Sequence, residues 1–395
     1  MKTLQTGDQN LMKQINKAIV FTYIRDKGPV SRAQISKDSG LNKATVSTMV
    51  SELITDSFIY EIGEGQSSGG RKPVLLYFNN HAGYSIGIDL GVNYLLGVLT
   101  DLSGNIVEEM NILLENIEYD YVLNELFIMI ESLIDKAPKS PYGIVGIGIG
   151  VPGMVNKDES ILLAPNLKWK HVSIKELVIT KFNIPTKIEN EANAGAYGEQ
   201  LYGAGKSISN LIYLSIGIGI GGGIIINNKL YTGSSGISGE MGHFSIEANG
   251  KKCPCGNYGC WELYASECAL LKETELVKAL NESQDMTIDT LISNARNGNR
   301  KVLQVLNNIG EYIGFGLTNI INTFNPEMIV IGNRMARFEN WLTNPIDRVL
   351  TERLSTYHKN IPTIRFSALG IYSSALGASS FAISKFLNEH KVLNK

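Results

Sequence analysis

The chain has 395 residues, 44% of them hydrophobic and 19% charged, which supplies a sizeable core for two or three domains and excludes a disordered polymer. Its 36 Lys/Arg nearly balance 38 Asp/Glu, a net charge of −2 that excludes a surface built throughout to coat a polyanion. No run of about 18 apolar residues suggests a membrane span, and the start MKTLQTGDQNLMKQ lacks the apolar middle of a secretory signal, so a cytoplasmic protein is expected.

Charge divides unevenly along the chain. Residues 1–80 carry 10 Lys/Arg against 7 Asp/Glu, a net of +3, and the remainder carries 26 against 31, a net of −5. A small basic module ahead of a large acidic body fits a reader of nucleic acid joined to a second function. Ile15, Ile19 and Tyr23 recur at helical spacing, and Gly28-Pro29 closes this first helix. Ser31 caps a second helix, SRAQISKDSG, with Gln34 at the capping-box position and Gly40 as its stop. Asn42 caps a third helix whose buried stripe is Val46, Met49, Val50 and Leu53, leaving Lys43, Thr45, Ser47, Thr48 and Ser51 outward. Two helices joined by a glycine turn, the second with a small polar outer face, suit a major groove; a solvated three-helix bundle is the bland alternative. Residues 58–62 alternate like a strand, GEGQSSGGRKP turns, and LLYF returns. That pattern is a wing with Arg71 and Lys72 at its base, or else a flexible linker. The candidate contacts to double-stranded DNA are Ser31, Arg32, Asn42, Lys43, Ala44, Thr45, Ser47, Thr48, Arg71 and Lys72.

From Tyr84 the chain turns strand-rich. YSIGIDLG, YLLGVLTD and NIVEEMNI predict an antiparallel meander, followed by a helix over about residues 121–134 and a buried strand in GIVGIGIGVPG. A similar order recurs: NLIYLSIGIGIGGGIIINN, helices, then MIVIGN. Both units open on a strand that ends in glycines, and two such halves build a cleft whose backbone amides can approach a ligand. Asp89 at the first strand's end suits a metal–nucleotide, a sugar hydroxyl or a plain turn. The bulky Val92-Asn93-Tyr94 run and Asn333-Arg334 after MIVIG both disfavour a nucleotide.

All four cysteines (Cys253, Cys255, Cys260 and Cys268) fall within sixteen residues, which is no framework for a stapled secreted domain. With His243 ten residues upstream, Cys253, Cys255 and Cys260 make a Cys3His set suited to a closed, structural Zn2+ site; Cys268 is expected in the core. The staple gathers Glu240, His243 and Glu262, while KIENEANAGAYGE puts Asn190 and Glu191 at a strand-to-helix junction. Carboxylates and amides of this kind suit the several hydroxyls of a sugar; helix capping is the alternative for Asn190 and Glu191.

The runs GEMGH, CPCGNYGCWE and ENEANA resemble the repressor, open-reading-frame and kinase (ROK) family of bacterial sugar proteins, over residues 84 to about 390. The resemblance implies an α/β fold: an N-terminal winged helix-turn-helix over 1–80, then a two-lobed, actin-like (duplicated ribonuclease-H-like) domain over 81–395. Lobe 1 would span about 81–190 plus the C-terminal helix, lobe 2 about 191–375, and the zinc loop 240–262. It places sugar contacts on Asn190, Glu191, Glu240, His243 and Glu262. The family's kinases carry an Asp as general base where this chain has Glu191. They read Asp-x-Gly-Gly-Thr where this chain has Asp89-Leu90-Gly91-Val92-Asn93, put Thr at Ile218, and put Gly at Asn333. These departures point away from ATP and from an enzyme. The repressor branch of the family implies a homodimer on a palindromic DNA operator, controlling sugar-utilisation genes and released by a monosaccharide, D-xylose. N-acetylglucosamine or glucose are the alternative effectors, and an ATP-dependent sugar kinase is the alternative activity.

Overall fold

The computed structural model describes residues 9–64, 74–278, 287–356, 358, 361–390 and 392–393. The N-terminal part holds helices α1 (Gln9–Lys27), α2 (Arg32–Ser39) and α3 (Lys43–Thr55), and strands β1 (Val30–Ser31), β2 (Ile59–Glu64) and β3 (Val74–Phe78), paired in the order β1-β3-β2. Helix α2 begins where the Ser31 hydroxyl accepts the Gln34 N–H at 3.2 Å, and it stops at Gly40 with φ 73°. Helix α3 begins where Asn42 Oδ1 accepts the Thr45 N–H at 2.8 Å, and Val46, Met49, Val50 and Leu53 are its buried face. Two details depart from expectation. The Gln34 side chain donates forward to Asp38 at 2.6 Å, so the capping box is only half formed. On α1 the packed face is Val20, Phe21 and Ile24, with Ile15, Ile19 and Tyr23 half-buried beside it. Aromatic packing decides that rotation, because Phe21 meets Phe58 and Phe78 edge-on at 5.9 and 5.4 Å. Strands β2 and β3 are the arms of the expected wing. Its tip, with Arg71 and Lys72, lies outside the described residues.

The first unit of the body comprises β4 (Tyr84–Leu90), β5 (Tyr94–Asp101), β6 (Ile106–Leu113), α4 (Tyr119–Asp135) and β7 (Ile144–Val151). A small sheet of β8 (Met154–Val155), β9 (Ile161–Ala164) and β10 (Trp169–Val172) is inserted before α5 (Lys175–Phe182), β11 (Thr186–Asn190) and α6 (Glu191–Tyr202). The second unit opens with β12 (Leu211–Ile216), β13 (Ile220–Ile226) and β14 (Lys229–Leu230). Helices α7 (Glu262–Ala265), α8 (Glu267–Lys278), α9 (Ile288–Arg296) and α10 (Arg300–Phe324) follow. Then come β15 (Met328–Gly332), α11 (Glu339–Arg353), β16 (Thr363–Phe366) and α12 (Ser373–Glu389).

Two five-stranded sheets result, ordered β11-β7-β4-β5-β6 and β16-β15-β12-β13-β14. In each, the opening strand pairs antiparallel with the next and parallel with the fourth: β4 with β5 and β7, β12 with β13 and β15. The repeat that is weak by letter is therefore complete by topology, and the two lobes have the duplicated, actin-like layout. Each sheet carries its own core, Ile86, Ile88 and Ile147 under α4 in one and Ile212, Leu214 and Ile329 under α10 in the other. Helix α12 lies directly on the first sheet, where a Cβ at Gly87 or Gly148 would stand 2.0 or 1.9 Å from the Ala375 or Ala378 carbonyl oxygen. Its far end, with Ile383, Phe386 and Leu387, enters the same apolar core as Phe21, Phe58 and Val50 of the N-terminal module. Near residue 80 the architecture changes without a break in packing.

Candidate functional site

The two sheets face each other across a cleft enclosing about 1100 Å³, its open mouth included, lined by Asn190, Glu191, Glu240, His243 and Glu262 among others. All five residues proposed to meet a sugar are therefore brought together. Asn190 also caps α6, its Oδ1 accepting the Ala192 and Asn193 N–H groups at 2.9 and 3.1 Å and its Nδ2 donating to the Gly153 carbonyl at 2.8 Å. Glu191 accepts from the Ser215 hydroxyl at 3.4 Å. Loss of water, reinforced by the nearby Asp89 charge, pushes the Glu191 carboxyl up to about 8, so it is mostly protonated at neutral pH. Burial likewise raises Asp89 to about 6, against the opposing pull of Tyr94, Ser374 and Arg334. Burial raises Glu240 too, with His243 opposing and Glu262 reinforcing.

His243 turns its two ring nitrogens to two jobs. Nε2 faces Glu240 at 3.9 Å, while Nδ1 lies 3.5 Å from Glu262 Oε1 and 3.8 Å from Cys253 Sγ. The ligand atoms of His243, Cys253, Cys255 and Cys260 all lie within 4.8 Å of one another, and the Sγ atoms of Cys255 and Cys260 are 3.7 Å apart. A tetrahedral ion with Zn–S distances of about 2.3 Å would space its sulfurs about 3.8 Å apart, so the donor set fits Zn2+ in chemistry and size. Left-handed backbone at Gly256 and Gly259 (φ 99° and 67°) folds the loop this tightly. Trp261, fully buried and donating to the Tyr312 carbonyl at 2.8 Å, anchors it on α10. Cys268 departs from expectation: it is exposed rather than in the core. The break between α7 and α8 restarts the helical phase, so Ala269 and Leu270 turn inward and Cys268 outward.

The Val92-Asn93-Tyr94 run and Asn333-Arg334, expected to disfavour a nucleotide, line the same cleft. The Tyr94 ring lies against Gly91, and its hydroxyl donates to Asp89 at 2.6 Å. Asn333 adopts φ 62° and ψ −157°, a backbone that suits glycine, and holds it with a side-chain oxygen accepting the Arg334 N–H at 2.7 Å. Arg334 pairs with Glu267 at 3.1 Å.

A model of the ROK family matches residues 85–385. The chain belongs to the ROK family. It is 46% identical to the xylose repressor of Bacillus spizizenii over 385 residues, 98% of this chain and 99% of that one. Among solved structures, it resembles a ROK family transcriptional regulator, a homolog of the E. coli MLC protein, with TM-score 0.80 and 29% identity over 96% of this chain and 99% of that one. A ROK family glucokinase from Streptomyces griseus, in complex with glucose and AMPPNP, matches with TM-score 0.70 and 25% identity over 76% of this chain and all of that one. The glucokinase matches a shorter part of this ROK chain than the regulator does.

The candidate DNA face divides among its residues. On α3, Lys43, Ala44, Ser47 and Thr48 are exposed beside Asn42, whereas Thr45 is half-buried. Ser31 serves as the cap of α2, and Arg32 is drawn to the wing strand by Glu61 at 2.5 Å. Among the described residues, no helix is long and apolar enough to cross a membrane.

Proposed function

We propose that this ROK chain is a transcriptional repressor of xylose-utilisation genes that lets go of its DNA operator when D-xylose enters the cleft. It is a cytoplasmic regulator, not a kinase. The single observation that carries this reading is the pairing, in one chain, of an exposed small-residue face on α3 with a cleft on which five sugar-facing residues converge and which Tyr94 and Arg334 also line. Likeness to the xylose repressor of Bacillus spizizenii supports D-xylose as the effector. The chain divides, in this reading, into a reader over 1–80 and a two-lobed sugar sensor over 81–395.

Asn190, Glu191, Glu240, His243 and Glu262 contact the sugar hydroxyls. His243, Cys253, Cys255 and Cys260 hold a structural Zn2+, which supplies rigidity to the loop carrying Glu240 and Glu262 rather than an activated water. One helix-turn-helix covers too little DNA for tight specific binding, so a homodimer reads a palindromic operator, with Ser31, Arg32, residues 42–45, Ser47, Thr48 and the wing's Arg71 and Lys72 on the duplex. Release requires that the sugar bind the DNA-free state more tightly; a coupling of about 1–3 kcal/mol shifts operator affinity some 5- to 150-fold. Calorimetry against D-xylose, glucose and N-acetylglucosamine, paired with operator binding with and without each sugar, tests it. D-xylose alone should bind and release the duplex. Preference for another sugar, or steady phosphorylation of one with ATP, would replace this reading.

A further inference from the structure

Arg334 belongs to the second lobe, immediately after β15, and its side chain reaches across the cleft. Nη1 lies 3.1 Å from Glu267 Oε1 of its own lobe, while Nη2 donates to Asn93 Oδ1 of the first lobe at 3.3 Å. The guanidinium carbon stands 5.4 Å from the centre of the Tyr94 ring, also in the first lobe. Asn93 ends the turn between β4 and β5, and Tyr94 opens β5. The concave side of that turn is filled by the Tyr94 ring against Gly91, tied by its hydroxyl to the buried Asp89. Both carboxylates near this cation, Asp89 at 3% exposure and Glu267 at 4%, are buried, and buried carboxylates are costly unless a positive charge faces them.

Through its own backbone, Arg334 is also linked to Glu191. The Arg334 N–H is accepted by Asn333, Asn333 Nδ2 donates to the Ser215 hydroxyl at 3.0 Å, and that hydroxyl donates to Glu191 at 3.4 Å. We infer that Arg334 is a positioning residue that holds the two lobes together across the cleft. The inference rests on the sugar-receptor reading and deepens it: an interlobe contact made before the sugar arrives leaves binding less ordering to do. A fork with a carboxylate on one lobe, and an amide and a ring face on the other, is what guanidinium provides and a lysine ammonium does not.

The test uses the full chain with Arg334→Ala, Arg334→Lys, Asn93→Ala and the Arg334→Ala/Asn93→Ala double variant. D-xylose affinity is read by calorimetry, and backbone amide exchange at residues 91–94 is read without sugar. Arg334→Ala should weaken D-xylose binding about tenfold, the scale of one lost charged hydrogen bond. Arg334→Lys should recover only part of the loss, and the double variant should be little worse than Arg334→Ala alone. Amides 91–94, on the lobe opposite the substitution, should exchange faster. The inference is overturned if Arg334→Ala leaves D-xylose affinity within about twofold, if the two single effects add, or if exchange rises only at 333–338. Should the parent bind no D-xylose, the receptor reading fails. Exchange at 91–94 then judges the clamp by itself, and unchanged exchange overturns it.

Discussion

Replacing Glu191 with Gln isolates the charge state of the cleft. In the folded protein its carboxyl is raised from the ordinary 4.5 to about 8 by burial first and by Asp89 next. The unfolded chain sheds this proton near 4.5 and the folded chain only near 8, so between those values the native state holds one extra proton. Stability then falls as pH rises across that window, by at most about 1.4 kcal/mol per pH unit, and levels off above it. The amide keeps the shape without the titrating proton, so Glu191→Gln should match the parent near pH 5 and gain on it up to about pH 8. Two pH units inside the window are worth up to about 2.7 kcal/mol, which for a chain of this size is a few degrees in Tm. Because the carboxyl is mostly neutral at pH 7, an amide, which like the protonated acid offers both a donor group and a carbonyl acceptor, should hold D-xylose within about threefold of the parent. Differential scanning calorimetry of both proteins from pH 5 to 9, with sugar titrations at pH 7, checks both arms. Parallel Tm–pH curves, or a loss of affinity beyond about thirtyfold at pH 7, would show that Glu191 works ionised and would sink the argument.

Cys255→Ser should release the metal, measured as zinc content by mass spectrometry, and abolish the sugar response because Glu240 and Glu262 lose their fixed loop; a metal-free variant with normal D-xylose affinity refutes the stapling role. Ser47→Ala, on the exposed face of α3, should weaken operator binding by about 1 kcal/mol, roughly fivefold, in a fluorescence anisotropy titration, with D-xylose affinity and Tm unmoved. An equal loss on unrelated duplexes would mean that Ser47 contacts no base. Phe386 packs on Phe58 and Tyr142 at 5.9 and 5.0 Å. Phe386→Ala should cost about 3–5 kcal/mol, and the milder Phe386→Leu should shrink the ratio of operator affinities without and with D-xylose while leaving sugar affinity intact. An unchanged ratio in the folded Leu variant removes this contact from the coupling.

Local chemistry was legible wherever it repeats at short range. The caps at Ser31 and Asn42, the i, i+3, i+4, i+7 stripe of α3 and the Cys253-x-Cys255-x4-Cys260 spacing all act within a dozen residues, and each has its counterpart in the structure. Features decided by distant partners were not. The rotation of α1 follows from Phe58 and Phe78, far along the chain. Arg334 meets Asn93 across 241 positions, so the sequence suggested only that Asn333-Arg334 crowds a nucleotide and not what the arginine grips. Cys268 was misplaced because a helix break one turn before it resets the phase, and apolar neighbours in the letters are no guide across such a break. At Asn333 the backbone sits at φ 62° and ψ −157°, a conformation that suits glycine and that no short-range pattern around it announces.

In the proposed repressor, the route from cleft to DNA would run along one rigid element. At the N-terminus of α12, Ser374 donates to the Glu191 carbonyl at 3.2 Å and Ser373 to Glu199 at 2.7 Å, which ties the helix to the strand-to-helix junction lining the sugar end. Seated on β4 and β7 at glycine-close range, α12 cannot bend independently of the first lobe, so a change at the junction moves it as a body. Its 17 residues span about 25 Å. A tilt of about 5° at the cleft therefore displaces its Phe386 end by about 2 Å, and that end shares a core with Phe58 and the back of α3. In the proposed dimer, whose two reading helices would have to stay about 34–36 Å apart to meet successive major grooves, displacements of this size on both subunits would break the register. In the proposed receptor, fusing the reader's core to α12, instead of hanging it on a loose linker, would let a change at the cleft reach the operator.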